Sequence, residues 1–411
     1  MPKLNNPKLE NLDFKTGDWS SGRSARADIL IAGDWAPIRN FAPLIEKDPK
    51  SLYGDLLPRI QNADLSLVNL EAPLSDTGSP VCKSGAVFKG NACHVKGLTA
   101  VPFDAVTLAN NHMFDFGVEA FKETLTALDS HGIRYTGAGM DLEEAKKPLI
   151  METKGVRLAI VNFSEGEDLT AADTGPGVMG WDIPSVTAMI QDLKPKVDAI
   201  IAVAHCGLEY VPFAPSYVIQ AFKAVAEAGA DAVIGHHPHV PQGVFIHEGT
   251  PICCSLGNFI FYQPTRFHWR KLGYMVDLKL AEKGLAGLEI IPYAIHGKGV
   301  SALAGQKKTD FLRRLEDIST PLFTDQGALD AWNGFIDYYG TKGFKNEVNA
   351  ILSKLDAEPG KGAAMFRNRL TTAQHFYHWK DLLTRMVNDE MGNSAAWARD
   401  IAREWLTREQ E

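Results

Sequence analysis

The stretch Gly235-His236-His237-Pro238-His239-Val240 directly follows the apolar run 232–234 and holds three histidines in four positions. A short apolar run predicts a buried β-strand. Polar residues that follow such a strand lie at the carboxyl edge of a sheet, where α/β proteins build their sites. Neutral imidazole is the commonest metal ligand among protein side chains. The stretch therefore predicts an α/β protein with a metal site at one sheet edge.

The rest of the chain from Asp28 to about residue 300 repeats this pattern of apolar runs and amphipathic stretches. Runs that predict strands lie at 29–32, 65–69, 105–108, 158–163, 199–204, 232–234 and 252–256, and the clearest helical patterns lie at 118–130, 186–193 and 217–228. This alternation predicts a layered α/β fold. Two later runs, 275–280 and 288–295, alternate in polarity and predict antiparallel strands with one solvated face.

After about residue 300 the pattern becomes helical. Five helices are predicted, at 311–318, 329–339, 344–355, 366–388 and 395–406. Glycine and proline separate them, as in Glu358-Pro359-Gly360. We therefore divide the chain into an N-terminal arm (1–27), an α/β domain (28–304) and a helical C-terminal region (305–411).

Composition limits the function classes. The chain has 411 residues, 45% of them hydrophobic and 22% charged, as is ordinary for a globular protein. Its net charge of -8 argues against nucleic acid as a partner. We found no apolar stretch of about 18 residues that would span a membrane, and the polar N-terminus lacks the apolar core of a signal peptide. The five cysteines show no paired spacing, so we expect reduced thiols and a cytoplasmic location.

Six polar clusters follow predicted strands. They are Asp34; Asn69 and Glu71; Asn110, Asn111, His112 and Asp115; His205 and Glu209; His236, His237 and His239; and Asn258. Singly, such residues are most often helix caps, turn formers or structural histidines. Together, a set of nitrogen and oxygen donors without cysteine suits divalent Mn, Fe, Co, Ni or Zn, and a bridging carboxylate would favour two ions side by side.

In order and spacing, over about residues 28–300, these clusters resemble the CapA family of bacterial capsule synthesis and poly-γ-glutamate biosynthesis proteins. That family is similar to the calcineurin-like metallophosphoesterases. The matching motifs are Gly33-Asp34, Val68-Asn69-Leu70-Glu71, Ala109-Asn110-Asn111-His112 with Asp115 and Gly117, His205 with Gly207, Glu209 and Tyr210, the stretch 235–240, and Ser255-Leu256-Gly257-Asn258-Phe259.

The resemblance implies a four-layer α/β/β/α sandwich, with the helical C-terminal region as an extension, and a site with two divalent metal ions, Mn, Zn or Fe. The metal ligands that it implies are Asp34, Glu71 (as a bridge), Asn111, His205, His237 and His239. His112 would be the catalytic acid or base and Asp115 would orient it. His236 is an additional histidine, for which we expect a supporting role.

Substrate contacts are expected from the Gly-rich segment 75–94, which could form a lid over the metals. Its Lys83 and Lys89 could pair with a carboxylate or phosphate, although a solvated loop is the simpler interpretation. Glu209 and Asn258 complete the predicted substrate-binding set. Arg39, Tyr210 and the residues that follow Asn258, Arg270 among them, are weaker candidates for the pocket wall.

Three functions remain open. The first is a metal-dependent enzyme of capsule or poly-γ-glutamate metabolism that hydrolyses or transfers an amide or phosphate ester bond of an anionic polymer or peptide. The second is a metal-dependent peptide epimerase. Phosphoesterases carry Asp-x-His where this chain has Asp34-Trp35-Ala36, and an epimerase could do without that histidine because its reaction needs no activated water. The third is a non-catalytic metal-stabilised scaffold in a polymer-synthesis complex, with the helical C-terminal region as its docking surface for a protein partner.

Overall fold

A computed structural model of the chain describes residues 12–165, 172 and 175–410. The strands are β1 (Asp18–Ser20), β2 (Ala27–Ala36), β3 (Leu65–Leu70), β4 (Ala105–Thr107), β5 (Arg134–Thr136), β6 (Ala138–Gly139), β7 (Leu149–Thr153), β8 (Val156–Ser164), β9 (Gly177–Val178), β10 (Ala199–His205), β11 (Ala232–His236), β12 (Val244–His247), β13 (Thr250–Cys253), β14 (Asn258–Phe261), β15 (Leu272–Leu280), β16 (Leu285–His296) and β17 (Gly299–Ala302). The seven strands predicted from buried runs all overlap strands of the structure.

The helices are α1 (Phe41–Lys47), α2 (Leu57–Asn62), α3 (Val95–Thr99), α4 (Gly117–Ser130), α5 (Leu142–Lys146), α6 (Ile183–Leu193), α7 (Ser216–Glu227), α8 (Gly305–Ser319), α9 (Asp325–Ala357), α10 (Pro359–Thr371), α11 (Ala373–Val387) and α12 (Ala396–Thr407). Non-helical backbone at Gly340 interrupts α9, so the two helices predicted there correspond to its halves. The single helix predicted over 366–388 was wrong, because Thr372 is extended and separates α10 from α11.

The strands form two large sheets with mixed strand directions. In the larger sheet the order is β1-β16-β15-β2-β3-β4-β5, with β14 paired to β2 and β17 to β16. In the smaller sheet it is β12-β13-β11-β10-β8-β7, and β6 pairs with β9 separately. Strands β2 to β5 run parallel to their neighbours in this series, as do β8, β10, β11 and β13 in theirs. Their carboxyl ends therefore gather polar residues from many strands at shared edges.

Three hydrophobic clusters pack around these sheets. One contains side chains from both sheets, such as Ile31 of β2 and Ile201 of β10. The second joins the larger sheet to α1, α3 and α4, and the third joins the smaller sheet to α6 and α7. Neighbours along a strand alternate between clusters, as Leu30 and Ile31 do, because successive side chains point to opposite faces.

The later strands differ in part from expectation. Strand β15 is antiparallel to both β16 and β2, as predicted for the run 275–280. The prediction of a solvated face was wrong, because nearly every residue of β15 is buried. Met275 packs in the cluster with the helices, whereas Val276 packs in the cluster shared by both sheets. Asp277 and Lys279 produce the alternation of polar and apolar residues in the sequence, although Asp277 is buried and Lys279 is only partly exposed to solvent.

The helical C-terminal region packs on the α/β part. Trp405 of α12 stacks on Trp269, with ring centroids 3.7 Å apart, and Tyr377 of α11 stacks on Tyr217 at 4.7 Å. Side chains of α8, α9, α11 and α12 belong to the same hydrophobic cluster as both sheets. Within the predicted N-terminal arm, β1 pairs with β16, and residues 1–11 lie outside the described part of the chain. Among the described residues, we find no helix that is both long and apolar enough to cross a membrane.

Two glycines allow strands to approach each other beside the candidate site. A Cβ at Gly33 would overlap the carbonyl oxygen of Gly257, and a Cβ at Gly235 would overlap that of Cys254. Each glycine immediately precedes a polar site residue, Asp34 or His236. The close approach of backbone, rather than an unusual φ angle, explains glycine at these positions.

We predict that Gly33→Ala lowers the free energy of unfolding by about 1–3 kcal/mol, because the added methyl group forces β2 away from Gly257. Urea denaturation of the two proteins measures this difference. Gly297→Ala is the matched control, because a Cβ at Gly297 meets no atom within 4 Å. Equal unfolding midpoints for Gly33→Ala and Gly297→Ala would contradict the packing account.

Candidate metal centre

Polar residues at the carboxyl ends of both sheets converge on one buried place. In the larger sheet, Asp34 lies opposite Asn69 of β3 and Asn258 of β14. In the smaller sheet, His205 lies opposite His236. All of these side chains are buried. The edges of two sheets thus contribute to a single buried cluster, whereas a site at one sheet edge was expected.

Two groups of donor atoms in this site have the spacing of metal ligands. The first contains Glu71, His205 and His237, and the second contains Asp34, Glu71 and His239, with the donor atoms of each group within 4.8 Å of one another. Glu71 belongs to both groups. Its Oε1 lies 3.3 Å from His205 Nε2 and 3.8 Å from His239 Nε2. Glu71 Oε1 therefore lies between histidines of both donor groups.

Asn111 completes the set of six predicted metal ligands. Its amide oxygen lies 2.9 Å from His205 Nε2, beside the first group. His237 Nδ1 lies 3.0 Å from the same His205 nitrogen. The structure therefore brings all six predicted ligands together.

A divalent cation fits these residues. The buried atoms Asp34 Oδ2, Glu71 Oε1 and Oε2, and His237 Nε2 have no hydrogen-bond partner among the described residues. Buried carboxylate oxygens without partners are costly, and a coordinated cation removes that cost. Nitrogen and oxygen donors without sulfur suit borderline divalent metals.

Supporting residues orient the donors. Asn258 Oδ1 lies 2.8 Å from His239 Nδ1, which leaves His239 Nε2 directed at Glu71. His236 Nδ1 lies 3.0 Å from Asp34 Oδ1, consistent with the supporting role expected for this histidine. Such contacts fix the tautomer and the ring orientation of metal-binding histidines. Asn258, predicted to bind substrate, contacts His239 instead.

Burial sets the charge of the donors. It raises the pKa of Glu71 well above its ordinary value, and the nearby Asp34 and Glu209 raise it further. Burial alone would also raise the pKa of Asp34, but its contacts with His236 and His239 hold it well below its ordinary value. Burial and the neighbouring His237 lower the pKa of His205. At neutral pH His205 is therefore a neutral imidazole, the form that binds metal.

His112 and Asp115 form a close pair beside the donors. His112 Nδ1 lies 2.6 Å from Asp115 Oδ2, and His112 Nε2 lies 4.0 Å from Glu71 Oε1. Contacts with His112 and Lys83 outweigh burial and lower the pKa of Asp115, whereas burial and Lys83 lower that of His112. An ionised Asp115 therefore accepts from Nδ1 of a neutral imidazole, and Nε2 faces the site as a proton acceptor.

The two predicted lysines are placed differently from expectation. Lys83 is buried, and its ammonium group donates to Asp115 Oδ1 (2.9 Å) and to the carbonyl of Asn111. It thus supports Asp115, whereas direct pairing with substrate was expected. Lys89 Nζ donates to the carbonyl of Thr77 and lies 4.7 Å from the ring of Phe116. The Lys83 side chain points into the protein to reach Asp115. No local sequence pattern predicts this direction.

A cavity of about 300 Å³ opens onto the site. Its lining includes the predicted residues Asn111, His112, Glu209 and His239. Burial would raise the pKa of Glu209, but the neighbouring His239, His237 and His112 lower it overall. A larger cavity, about 480 Å³, lies between α4 and β7 and is lined by none of the predicted site residues. We therefore regard the smaller cavity as the binding pocket.

Sequence reasoning left two buried asparagines without a role. Asn69 Nδ2 donates to Asp34 Oδ1 (2.8 Å) and lies 3.2 Å from His205 Nδ1, so it joins ligands of both sheets. Asn162 Oδ1 accepts from the backbone N–H of Ala109, and its Nδ2 donates to the carbonyl of Val203. A polar residue inside the apolar run 158–163 was the available signal for Asn162.

Comparison with known proteins identifies the family to which this chain belongs. Residues 28–263 match the model of the family described as "Bacterial capsule synthesis protein PGA_cap". The chain belongs to this family. The match includes every predicted site residue and ends before the helical C-terminal region.

Curated relatives carry names from the same field. The chain is 30% identical to the PGA biosynthesis protein CapA of Bacillus subtilis, over 61% of this chain and 67% of that protein. It is 34% identical to the capsule biosynthesis protein CapA of Bacillus anthracis, over 49% of this chain and 50% of that protein. It is 28% identical to the probable polyglutamine synthesis accessory protein Rv0574c of Mycobacterium tuberculosis, over 65% of this chain and 76% of that protein.

One solved structure is weakly similar. The crystal structure of TT1561 of Thermus thermophilus aligns with 65% of this chain and 98% of its own, at 12% identity and a TM-score of 0.36. Because this similarity is weak, the fold is defined by the strand order and the helix positions of this chain.

Outside the matched residues, α10 contacts the segment that carries Lys83. Lys361 Nζ donates to the carbonyls of Lys83 (2.7 Å) and Gly85 (2.6 Å). Gly85 lines the pocket, and Phe88 N donates to Asp115 Oδ2. The helical C-terminal region thus holds a wall of the pocket.

We predict that Glu71→Gln abolishes stabilisation by Mn²⁺. Wild type should gain about 2–3 kcal/mol at saturating Mn²⁺, whereas the variant should gain almost nothing. In chelator the order reverses. The pKa of Glu71 is raised in the folded protein, so wild type loses stability as pH rises from the ordinary glutamate range up to that raised pKa, and the uncharged glutamine escapes this loss. Thermal unfolding from about pH 5 to 9 measures both effects.

The exposed Glu152→Gln on β7 is the control and should behave as wild type in both conditions. Equal Mn²⁺ stabilisation of wild type and Glu71→Gln would rule out Glu71 as a ligand.

We predict that Lys361→Met speeds amide hydrogen exchange in residues 82–88, because the variant loses two charge-assisted hydrogen bonds to that segment. Lys307→Met, an exposed position on α8, is the control. Unchanged exchange in 82–88 would show that α10 does not hold the segment.

Proposed function

We propose that this protein is a metal-dependent hydrolase or transferase that acts on an amide or phosphate ester bond of an anionic polymer or peptide in capsule or poly-γ-glutamate synthesis. The observation that carries the proposal is the shared position of Glu71 in two donor groups beside the His112–Asp115 pair. The process is suggested by the names of the relatives, which are PGA and capsule biosynthesis proteins.

The proposal includes the finer architecture and the metals. We infer that helices and sheets stack as a four-layer α/β/β/α sandwich, which the composition of the three hydrophobic clusters supports. Two ions of Mn, Zn or Fe would be held by the two donor groups, with Asn111 beside the first. Bound divalent ions polarise a carbonyl or phosphoryl oxygen and stabilise the charge that develops on it.

His112 would move the proton. Its Nε2 would accept a proton from the attacking hydroxyl group, and Asp115, 2.6 Å from Nδ1, would stabilise the imidazolium that forms. The same Nε2–H would then donate to the departing amine or alkoxide, which returns His112 to its neutral form. Lys83 holds Asp115 in place throughout.

A specific observation favours epimerisation as the second candidate. His112 and Glu209 both line the pocket, so one could remove an α-proton while the other supplies one. Ala36 stands where phosphoesterases carry a histidine, and proton removal from carbon requires no attacking water.

A role in protein binding would use the helical region. Among the described residues, the exposed large apolar side chains all lie in α9 to α11, at Leu329, Leu352, Leu355, Leu370, Phe376, Leu383, Met386 and Val387. Exposed apolar patches often mark interaction sites. This surface supports a scaffold role, with or without catalysis.

We predict that Asp115→Asn lowers kcat about 100-fold or more while metal content is unchanged, because the asparagine no longer stabilises the imidazolium. The measurement uses metal-loaded protein with γ-glutamyl peptides and phosphodiesters, together with α-proton exchange in D₂O. Asp192→Asn, exposed on α6, is the control.

The outcomes separate the candidates. Bond cleavage that depends on Asp115 supports the hydrolase, and proton exchange without cleavage supports the epimerase. Metal-loaded protein that performs neither reaction would leave the scaffold.

A further inference from the structure

We infer that Arg39 and Arg270 form an oxyanion subsite that binds a carboxylate or phosphate group of the substrate beside the metal centre. The inference rests on the proposed function for the identity of the reacting bond, but the binding itself does not require turnover. Both arginines line the same pocket as His112 and His239. Among the described residues neither arginine forms an ion pair, although Glu209 lines the same pocket and acts on Arg270.

Aromatic rings fix both guanidinium groups against the site. Arg270 Cζ lies 3.6 Å from the ring centroid of Tyr210, and the Tyr210 ring stacks on His239 at 5.8 Å. Arg39 Cζ lies 5.3 Å from the ring of Phe88, which packs on His112 at 4.4 Å. In each case a single aromatic ring lies between the arginine and a histidine of the site. The ring contacts both groups and so links the position of the arginine to that of the histidine.

Most guanidinium donors remain available. Arg39 Nη1 donates to the carbonyl of Tyr262 at 2.8 Å, which fixes one corner of the group. A guanidinium has five N–H donors in a planar fork that matches the two oxygens of a carboxylate or phosphate. Placed over aromatic rings and only partly hydrogen-bonded, these groups are organised for an anion before it arrives.

The surroundings favour an anion as well. The buried Lys271 is bonded to the carbonyl of Gln263, and its pKa is lowered by burial and by the charge of Arg39. Burial likewise lowers the pKa of Arg39 and Arg270, with Tyr210 and Glu209 acting in the opposite direction on Arg270. Three cations, Arg39, Arg270 and Lys271, therefore lie on the side of the pocket away from the buried carboxylates of the metal centre, with Glu209 as the carboxylate that acts on Arg270. A bound oxyanion would offset this local excess of positive charge.

Backbone strain is an independent sign of function at this place. Arg39 has φ of 53° and Tyr210 has φ of 67°, both in the left-handed region that side chains other than glycine seldom adopt. Such strain clusters at binding and catalytic sites, where the surrounding structure maintains it. Here it presents the Arg39 side chain and the ring under Arg270 to one pocket.

The test is calorimetric titration of Mn²⁺-loaded wild type, Arg39→Gln and Arg270→Gln with tri-γ-glutamate and, separately, with phenyl phosphate. We expect at least one probe to bind wild type and each substitution to weaken that probe about tenfold or more, since each removes a charge-assisted pair. Tri-γ-glutamate with amidated carboxyl groups should bind no better to wild type than to the variants. Arg313→Gln, exposed on α8, should bind as wild type.

The probe that shows the arginine dependence identifies carboxylate or phosphate as the natural group, and either result supports the subsite. Binding of both probes that is equal in wild type and both variants, or no binding to wild type, would overturn it. Arg39→Lys and Arg270→Lys retain the charge and should bind more tightly than the glutamine variants, which keeps the test valid if a glutamine variant misfolds. Because binding is measured without turnover, an inactive but binding protein would refute the proposed chemistry and leave the subsite intact.

Discussion

Two buried carboxylates, Asp34 and Glu71, impose the main constraint on this structure. Burial, and after it the charge of Asp34, raises the pKa of Glu71, while contacts with His236 and His239 keep that of Asp34 low. Protons, or cations between the carboxylates and the surrounding imidazoles, can resolve this repulsion. The positions of His205, His237 and His239 around Glu71 favour cations.

The fold brings these groups together through backbone approach and amide hydrogen bonds. Gly33 and Gly235 let neighbouring backbone come close directly before Asp34 and His236. Asn69 and Asn162 then join the two sheets through their side chains. Polar residues of this kind cost free energy when buried unless they are satisfied, so they specify how the sheet edges meet.

Much of this could be predicted from the sequence. Strand positions follow from apolar runs, and polar residues at the ends of those runs predict a shared site, since parallel strands share a carboxyl edge. The choice of six predicted ligands among those residues came from the family resemblance. The role of Lys83 could not be predicted, because its contact with Asp115 depends on how a loop folds against α10. The burial of β15 was hidden by Asp277 and Lys279, which are polar yet lie inside the sheet. The arginine subsite depends on ring stacking between distant segments, which leaves no periodic signal.

The most direct test of the central claim is anomalous diffraction from crystals grown with MnCl₂, recorded on wild-type protein. The account predicts two peaks on opposite sides of the Glu71 carboxylate, one contacting His205 and His237 and the other contacting Asp34 and His239. No peak beside Glu71, or density only at the largely exposed group of Glu46, Cys93 and His94, would contradict it.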